Sequence, residues 1–567
     1  MGTKWASFPT TERSFLGARK TFAPHWLLNS ALVEGIFMTR TSFRAFLLRI
    51  HFYGGMFVGP FILVAALTGC LYAIAPTLEK ITYHDSTTVA EVTNPVPLEQ
   101  QVAAAKRSRP GLDVKQVWPA NSPKDSTRVL LSDPSIDENT DLAVFVNPAD
   151  ASVIDAKPSH SGLGELPLRH WISTLHKNFH LGKPGTLYSE LAASWLWVLG
   201  LGGLYLWYLR ARAARQRRGE GALATLKGML TGGPKGAKQS KETTVASGAK
   251  ASTAGRKKSM KIHAVAGTWL IIAILGLSAT GITWSEIAGK NVDSVVESMK
   301  WKATPIETSL HAGDANSSGS GHEGHEGHEG HEGHGAHGSH GAAGDTANTT
   351  GDLASSQADT VYKAARDAGL TGPLRLYPPT DEHSGWKASE RWVEWRTTSD
   401  QVSVDGSDGR IIDRQDFKDL PTFSKLSSWG IYLHMGIMFG VPLQLALLAV
   451  GLGIALMVVM GYRMWWKRRP KFVPGSPNTF SWPMIGTGVL VAATVGVFLP
   501  LFGITLAIFL LVDVIIMNRR VNKARARGVM LSTKQAQGTD PKIDQTEAAS
   551  ENEDAFDAPH QKAPHVM

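Results

Sequence analysis

Two long apolar stretches of the chain each open with a histidine. "IHFYGGMFVGPFILVAALTG" (50–69) and "IHAVAGTWLIIAILGLSATG" (262–281) share Ile-His at the start and Thr-Gly at the end, which aligns His51 with His263. An ionisable side chain at membrane depth is unfavourable and is therefore a functional candidate by default. Because the motif is repeated, the two imidazoles occupy equivalent positions in the two stretches.

A second histidine motif also occurs twice. "LHKNFHLGKPG" (175–185) matches "LHMGIMFGVPL" (433–443) at a constant offset of 258 residues, which aligns His176 with His434. The motifs follow one another in the same order in both halves, so the halves are predicted to be parallel repeats related by an axis along the membrane normal.

The chemistry predicted for these histidines is haem ligation. Equivalent residues of two such repeats face a shared axis from opposite sides, and two opposed imidazoles are the axial arrangement of a low-spin b-type haem. We therefore expect two haems per chain, one held by His51 and His263 and the other by His176 and His434. For each histidine taken alone, the alternative is an interfacial or hydrogen-bonded helix residue.

Two further histidines lie near the second motif. His180 follows His176 by four residues, so on a helix both would project from one face, and its counterpart is Met438, which could also ligate haem iron. His170 has Ser428 as its counterpart, so the repeat gives it no support. We rank the pair of His176 and His434 first and His180 second.

A histidine-rich segment occurs only in the second half. "GHEGHEGHEGHEGHGAHGSHG" (321–341) places seven histidines at a spacing of three with four glutamates between them, in a Gly-rich context typical of disorder. Imidazole and carboxylate together bind zinc, copper, nickel or iron. The predicted divalent-metal ligands are His322, His325, His328, His331, His334, His337 and His340. The alternative is a low-complexity insert with adventitious affinity, and the first half does without such a segment.

The elements that must position these residues are membrane spans. A span needs about 20 mainly apolar residues. Such runs occur at 47–75, 188–209, 262–285 and 443–466. The apolar block 482–518 is too long for one span, and "FLPLFG" (498–503) can turn it into a hairpin of two short helices. The sequence thus predicts six spans.

The distribution of Lys and Arg predicts the orientation. The segment 210–261 holds 14 Lys and Arg against 2 Glu, and basic runs also follow the fourth span and the last. Cytoplasmic segments carry such an excess, so both termini, 1–46 and 519–567, are expected inside a bacterial inner membrane. The remaining loops are then external: 76–187, 286–428 and the histidine motif 429–442. The net charge of +9 is explained by anchoring to the bilayer, and it carries no inference of nucleic-acid binding.

The N-terminal segment and the cysteine content exclude several classes. The first 40 residues lack a basic start followed by a short apolar core, so the first span is expected to be an uncleaved anchor. Cys70 is the sole cysteine, which excludes an internal disulfide, a Cys-rich zinc site and a Cys-ligated iron–sulfur cluster.

Each external segment reads as a small α+β domain. An amphipathic helix at 98–111 precedes β-rich runs in the first, and a helix at 355–370 precedes them in the second. The offset of 258 also aligns "VFVNPADASVID" (144–155) with "VSVDGSDGRIID" (402–413). The predicted fold is an α-helical integral membrane protein with two parallel repeats of span, external α+β domain and span, plus a C-terminal helical hairpin.

This helix-then-hairpin pattern resembles a PepSY domain. Together with the "IH…LTG" and "LH…G.P" motifs, the arrangement resembles the PepSY-associated transmembrane family over roughly residues 40–466. The family includes ferric-siderophore reductases and other iron-regulated membrane proteins. The resemblance implies membrane haem that carries electrons to an external ferric complex, here expected to be a ferric siderophore bound in a cleft between the two external domains.

The absence of several motifs limits which electron donors and which other functions fit the sequence. No GxGxxG between a strand and a helix, no Walker A motif, no GxSxG and no HExxH occur in the sequence. Electrons would therefore come from quinol or from a separate cytoplasmic reductase. Two other functions stay open: a non-enzymatic regulatory module that binds a protein partner, and a metal-binding accessory to a transporter.

Overall fold

A computed structural model describes residues 40–137, 140–160, 163–232, 247–310, 346–381, 383–468 and 482–537. The histidine-rich segment, with all seven of its candidate metal ligands, lies outside these residues, as do 1–39 and 538–567. The chain divides into two compact units, one of residues 1–476 and 480–510 and the other of residues 477–479 and 511–567.

Five helices are long and apolar enough to cross a membrane in the described part of the chain. They span Gly59–Thr82, Lys183–Arg218, Lys257–Thr283, Gly440–Lys467 and Pro500–Arg519. The predicted fifth span is a helix of only 17 residues, Trp482–Phe498. A new helix begins at Pro500, with only Leu499 between the two. Of the six predicted spans, five are thus helices of spanning length, and the first helix of the predicted hairpin is a shorter apolar helix.

The helices that carry or support the histidines can now be numbered. They are α1 (Arg40–Phe57), α2 (Gly59–Thr82), α3 (His84–Thr87), α4 (Leu98–Ser108), α5 (Pro167–Asn178), α6 (Lys183–Arg218), α7 (Ala222–Thr231), α8 (Ser247–Thr283), α9 (Ala288–Ser298), α10 (Thr346–Asp367), α11 (Thr422–His434), α12 (Gly440–Arg468), α13 (Trp482–Phe498) and α14 (Pro500–Gln537). A short 3₁₀ turn, Phe417–Asp419, precedes α11.

The first predicted span is interrupted at Val58, between α1 and α2. Pro60 has no N–H to donate to the carbonyl four residues earlier, which is that of Met56. The Tyr462 hydroxyl of α12 donates to this carbonyl instead. The Met56 carbonyl therefore keeps a hydrogen-bond donor at the break, which separates His51 on α1 from the apolar helix α2.

The long helices of the first unit share one apolar core. Buried side chains from α1, α2, α6, α8 and α12 meet there: Ile50, Ile62, Trp195, Ile274 and Ile454. Helices α2 and α12 approach closely where Cys70 faces Gly451, since a Cβ on that glycine would lie 2.5 Å from the sulfur. A small residue is required at this crossing.

The segments between α2 and α5 and between α9 and α11 form one antiparallel sheet of eight strands. Its strands are β1 (Asp113–Trp118), β2 (Thr127–Ser132), β3 (Thr140–Val146), β4 (Val153–His160), β5 (Leu374–Tyr377), β6 (Trp386–Glu390), β7 (Gln401–Val404) and β8 (Ile411–Gln415). The order is β4-β3-β2-β1-β5-β6-β7-β8, so the two halves meet at β1 and β5, where Val117 pairs with Leu376.

The two α+β domains share a core as well as a sheet. Side chains of α4 and α10 pack with residues of both sets of strands in a single cluster that includes Val102, Val361, Val117 and Leu376. The Asp359 carboxylate on α10 accepts hydrogen bonds from the first two backbone N–H groups of α4, at 2.9 and 3.0 Å. Paired strands and a common core therefore join the two domains at the strand junction, while the expected cleft above the outer pair stays a prediction.

A second, smaller cluster links the sheet to the helices. Trp118, Leu130, Phe145 and Leu166 are buried together, with Tyr83 packed against them. Leu166 immediately precedes α5, the helix that carries His176. This contact fixes α5 between the sheet and α2.

Candidate functional site

The structure brings the four histidines together as two pairs, termed inner and outer after the sides of the membrane that the sequence predicts for them. The inner pair lies between α1 and α8. The ring centres of His51 and His263 are 6.0 Å apart, with the ring planes at 79°. The Nδ1 atom of His51 lies 3.1 Å from the Leu199 carbonyl oxygen, and that of His263 lies 2.8 Å from the Met457 carbonyl oxygen. A carbonyl can only accept, so in both rings Nδ1 carries the proton and donates it.

The outer pair lies at the ends of α5 and α11. The ring centres of His176 and His434 are 6.4 Å apart, with the planes at 49°. Their Nδ1 atoms lie 3.0 Å from the Thr68 hydroxyl and 2.6 Å from the Thr280 hydroxyl.

The two threonine hydroxyls are set up as acceptors. Thr68 donates its own proton to the Val64 carbonyl at 2.9 Å, and Thr280 donates to the Gly276 carbonyl at 3.0 Å. Their lone pairs are then free to accept the Nδ1 protons of the histidines. The pairing fixes the Nδ1–H tautomer in the outer pair as well.

All four imidazoles are therefore held in the form that ligates metal through Nε2. A metal-binding histidine almost always donates its other ring N–H to an acceptor, which fixes its tautomer and orientation. The sequence predicted the four histidines but not their acceptors. The repeat could have identified the acceptors. Thr68 and Thr280 are 212 residues apart, as are His51 and His263, and Leu199 and Met457 are 258 residues apart, as are His176 and His434.

A glycine provides the space for His51. A Cβ built on Gly203 of α6 would lie 2.7 Å from Cε1 of the His51 ring, which no ordinary packing allows. The corresponding Gly461 of α12 is looser, with 4.0 Å between its built Cβ and Cε1 of His263. At the outer pair, a Cβ on Gly69 would lie 3.1 Å from Cε1 of His176.

Each outer histidine also has an aromatic neighbour. The Tyr72 ring stacks on His176 with 5.9 Å between centres and 11° between planes. Trp284 lies beside His434 with 5.2 Å between centres. Tyr72 and Trp284 are again 212 residues apart, so the same offset relates these contacts.

His180 does not share a helix face with His176. Helix α5 ends at Asn178, and Phe179 and His180 both adopt positive φ angles, 59° and 56°. His180 is exposed and lies against Trp171, with 5.1 Å between ring centres. The predicted shared face is wrong because the left-handed residue at the helix end turns the chain away, while ligation by His180 stays untested.

His170 pairs with another histidine outside the two pairs. Its ring stacks on His160 of β4 with 3.7 Å between centres and 14° between planes. Burial, followed by the neighbouring His160, lowers the pKa of His170 to about 4. Burial also lowers the pKa of His160, whose Nδ1 lies 2.9 Å from the Thr140 hydroxyl. Both rings are therefore neutral at pH 7.

A buried network of charges connects to the outer pair through Tyr72. The Tyr72 hydroxyl donates to Glu165 at 3.2 Å. Arg169 lies 3.4 Å from Glu165 and 3.9 Å from Glu79, whose other oxygen accepts the Leu166 N–H at 2.8 Å. Burial opposes the charge of Arg169, but Tyr72 and the two carboxylates outweigh it and raise the pKa of the guanidinium.

Sequence reasoning missed this network, which is confined to the first half. The corresponding positions of the second half hold Asn291, Phe423 and Ser427. Within the described ranges, no group of three or more His, Cys, Asp or Glu side chains is arranged to hold a metal ion. The structure brings His51 next to His263 and His176 next to His434, and metal ligation by these pairs stays a prediction.

One comparison with known proteins identifies a family model that matches most of the chain. The family model of the PepSY-associated TM region matches residues 48–468, a range that includes both histidine pairs and the eight-stranded sheet. No curated protein matches the chain. The resemblance stated from the sequence motifs is confirmed, and the chain belongs to the family of the PepSY-associated TM region.

Proposed function

We propose that this multi-pass membrane protein carries electrons across the bilayer through two b-type haems and reduces ferric iron, held by a siderophore, on the external side. The observation that carries the proposal is the geometry of the two histidine pairs, with ring centres 6.0 and 6.4 Å apart and every Nδ1 committed to an acceptor.

The ring separation fits two imidazoles on opposite sides of one metal ion. A metal–nitrogen bond of about 2 Å on each side, with about 1 Å from nitrogen to ring centre, requires roughly 6 Å between the ring centres. Bound between such imidazoles, haem supplies a one-electron carrier whose potential depends on the axial ligands and their hydrogen bonds.

The chain's own residues provide the orientation of the four rings. The carbonyl groups of Leu199 and Met457 hold the inner rings, and Thr68 and Thr280 hold the outer rings. Pre-oriented ligands lose little freedom on binding, so these partners support ligation at each pair.

The charge pattern supports an outward direction of electron flow. The inner pair adjoins the strongly basic segment 210–261, which the excess of Lys and Arg assigns to the cytoplasm. The outer pair adjoins the eight-stranded sheet. We therefore propose an inner-membrane protein with both termini in the cytoplasm and electrons that move from the pair of His51 and His263 to the pair of His176 and His434.

A pocket beside the inner pair supports quinol as the electron donor. It has a volume of about 550 Å³ and is lined by Thr231, Lys258, Lys261, Ile262, Val265 and Ala266. Its largely apolar wall suits a hydrophobic ring, its size lies within the range of small-molecule sites, and its residues flank His263 on α8. A separate cytoplasmic reductase is the alternative donor.

Purified protein and one substitution test the proposal. Haem-replete wild-type protein should contain about two reducible haems per chain. His434→Ala should retain the inner haem and lose reduction of a membrane-impermeant ferric chelate in proteoliposomes of known orientation. His180→Ala is the matched control, since this histidine is exposed and outside both pairs.

Two results would contradict the proposal, and each would point to a different alternative. A colourless wild-type protein would favour a regulatory partner-binding role or a metal-binding accessory to a transporter. Wild-type ferric reduction by His434→Ala, with loss in His180→Ala, would transfer the outer ligand to His180.

A further inference from the structure

A buried carboxylate lies close behind one histidine of the outer pair. The Tyr72 ring stacks on His176, with 5.9 Å between ring centres and 11° between planes, and the Tyr72 hydroxyl donates to Glu165 at 3.2 Å. Tyr72 is 6% exposed and Glu165 is 1% exposed. Because the protein interior screens charges far less than water does, the charge of Glu165 reaches the outer pair.

The neighbouring cation offsets this charge only in part. The Arg169 guanidinium lies 3.4 Å from Oε1 of Glu165 and 3.9 Å from Oε1 of Glu79, so one cation faces two carboxylates. The other oxygen of Glu165, Oε2, is buried and accepts no hydrogen bond from the described residues. The charge of Arg128 also acts on Glu79. Whatever the sum of these charges, a neutral residue in place of Glu165 changes it by one.

The geometry of α5 sets the scale of the interaction. Arg169 and His176 are seven residues apart on this helix, which is about two turns along one face. At a rise of about 1.5 Å per residue, they are separated by about 10 Å along the helix axis. A unit charge about 10 Å away, in a medium of effective dielectric constant about 20, changes an equilibrium that moves one charge by roughly tenfold.

The second half of the chain holds its imidazole without these charges. By the repeat offsets, Trp284 stands in the place of Tyr72, and Phe423 stands in the place of Glu165. Trp284 still lies beside His434, with 5.2 Å between ring centres. An aromatic neighbour is therefore common to both halves, whereas the charged network is an addition of the first half that packing of the imidazole does not require.

Electron transfer changes the charge at the outer pair. Iron that gives up an electron gains one positive charge, which a nearby carboxylate stabilises, so the carboxylate lowers the midpoint potential. A chelator that binds Fe(III) more tightly than Fe(II) makes the bound iron harder to reduce. Reduction of an external ferric siderophore therefore needs a donor of low potential.

We propose that Glu165, held by Tyr72 and Arg169, is a positioning residue that places negative charge behind the outer pair and keeps its iron strongly reducing. This inference rests on the proposed function. In the step that Glu165 assists, one electron passes from the outer centre to external Fe(III), which becomes Fe(II). The outer centre is oxidised by one electron and regains it from the inner pair.

Redox titration of the purified protein, followed by its absorption spectrum, measures the midpoint potential. His263→Ala should retain only the outer haem, so this background gives a single midpoint. In it, Glu165→Gln should raise the ratio of reduced to oxidised haem at a fixed potential by about tenfold, which is a midpoint shift of about 59 mV for one electron. Glutamine keeps an oxygen that accepts from the Tyr72 hydroxyl, so haem content should be unchanged. In the wild-type background the inner midpoint should not move.

Three variants separate charge from shape. Glu165→Asp keeps the charge and should shift the midpoint by less than half as much as Glu165→Gln. Glu394→Gln is the matched control, because the ion pair of Glu394 with Lys80 is open to solvent, where water and salt screen it. Should Glu165→Gln fail to fold, Glu79→Gln removes the other carboxylate of the network and should shift the midpoint in the same direction.

An unchanged outer midpoint in Glu165→Gln would overturn the inference, as would an equal shift in Glu394→Gln. Loss of outer haem from Glu165→Gln without a shift in the midpoint of the haem that remains would show a purely structural role and overturn it as well. The expected shift in a protein that reduces no ferric chelate would support the inference and refute ferric reduction alone. A colourless wild-type protein would refute both.

Discussion

Replacement of Thr280 by valine isolates the hydrogen bond that holds His434. Valine has nearly the shape of threonine, but it lacks the hydroxyl that lies 2.6 Å from Nδ1 of His434. The imidazole would keep its packing against Trp284 and lose its acceptor. We expect the Thr280→Val protein to fold, to keep the inner haem and to bind the outer haem more weakly.

The size of the effect follows from the donor left without a partner. A buried N–H that loses its acceptor costs about 1–3 kcal/mol. Since about 1.4 kcal/mol corresponds to a tenfold change in the dissociation constant, this cost corresponds to a loss of roughly 5- to 150-fold in haem affinity. The range of about 10- to 100-fold found for acceptors behind metal-ligating histidines agrees with it.

Haem titration of the purified protein, followed by its absorption spectrum, measures the effect, and Thr280→Ser should restore the wild-type affinity. Thr268→Val is the matched control on the same helix, because within the described residues Thr268 bonds only to the Ala264 carbonyl, at 2.9 Å. The reasoning fails if Thr280→Val binds the outer haem as tightly as Thr280→Ser, or if Thr268→Val causes an equal loss.

Three further predictions concern other parts of the chain. Gly203→Ala should lower inner haem content, since its Cβ would lie 2.7 Å from the His51 ring, whereas Gly461→Ala, at 4.0 Å from His263, should not; equal haem content in both variants would contradict the packing argument. Stability should fall as pH decreases from about 6.5 towards 4, because the unfolded chain then binds a proton that the folded state, with the pKa of His170 at about 4, does not. His170→Phe should flatten this dependence of the thermal midpoint, and an unchanged slope would exclude His170 as its source. Deletion of 321–341 should weaken binding of divalent metal and leave haem content and most ferric reduction intact, so abolished haem reduction would place the segment in the electron path.

Much of the fold could be predicted from local patterns. Apolar runs gave four of the long helices, and the fifth long helix covers the second part of the predicted hairpin. The helix-then-strand pattern of both external domains also appears in the structure. These features depend on residues near one another in the chain, where periodicity and length carry the information. The first helix of the predicted hairpin is shorter than a membrane span, because a new helix already begins at Pro500.

The candidate site could be predicted only in part. The offsets singled out His51, His263, His176 and His434, and the structure brings them together as two pairs, although their role as haem ligands stays a prediction. His180 was misjudged because the helix spacing assumed for it ends at Asn178. No local signal marks the end of a helix at a phenylalanine with positive φ.

The sequence by itself determined the family, the spans and the histidines, because each is a property of residue type and spacing along the chain. Only the tertiary structure decided that the two α+β domains share one sheet and that backbone carbonyls hold the inner rings. The physical reason is that these contacts join segments more than 100 residues apart or use backbone atoms, which are the same in every residue. Pairing of that kind is selected by the packing of the whole chain, and no local pattern records it.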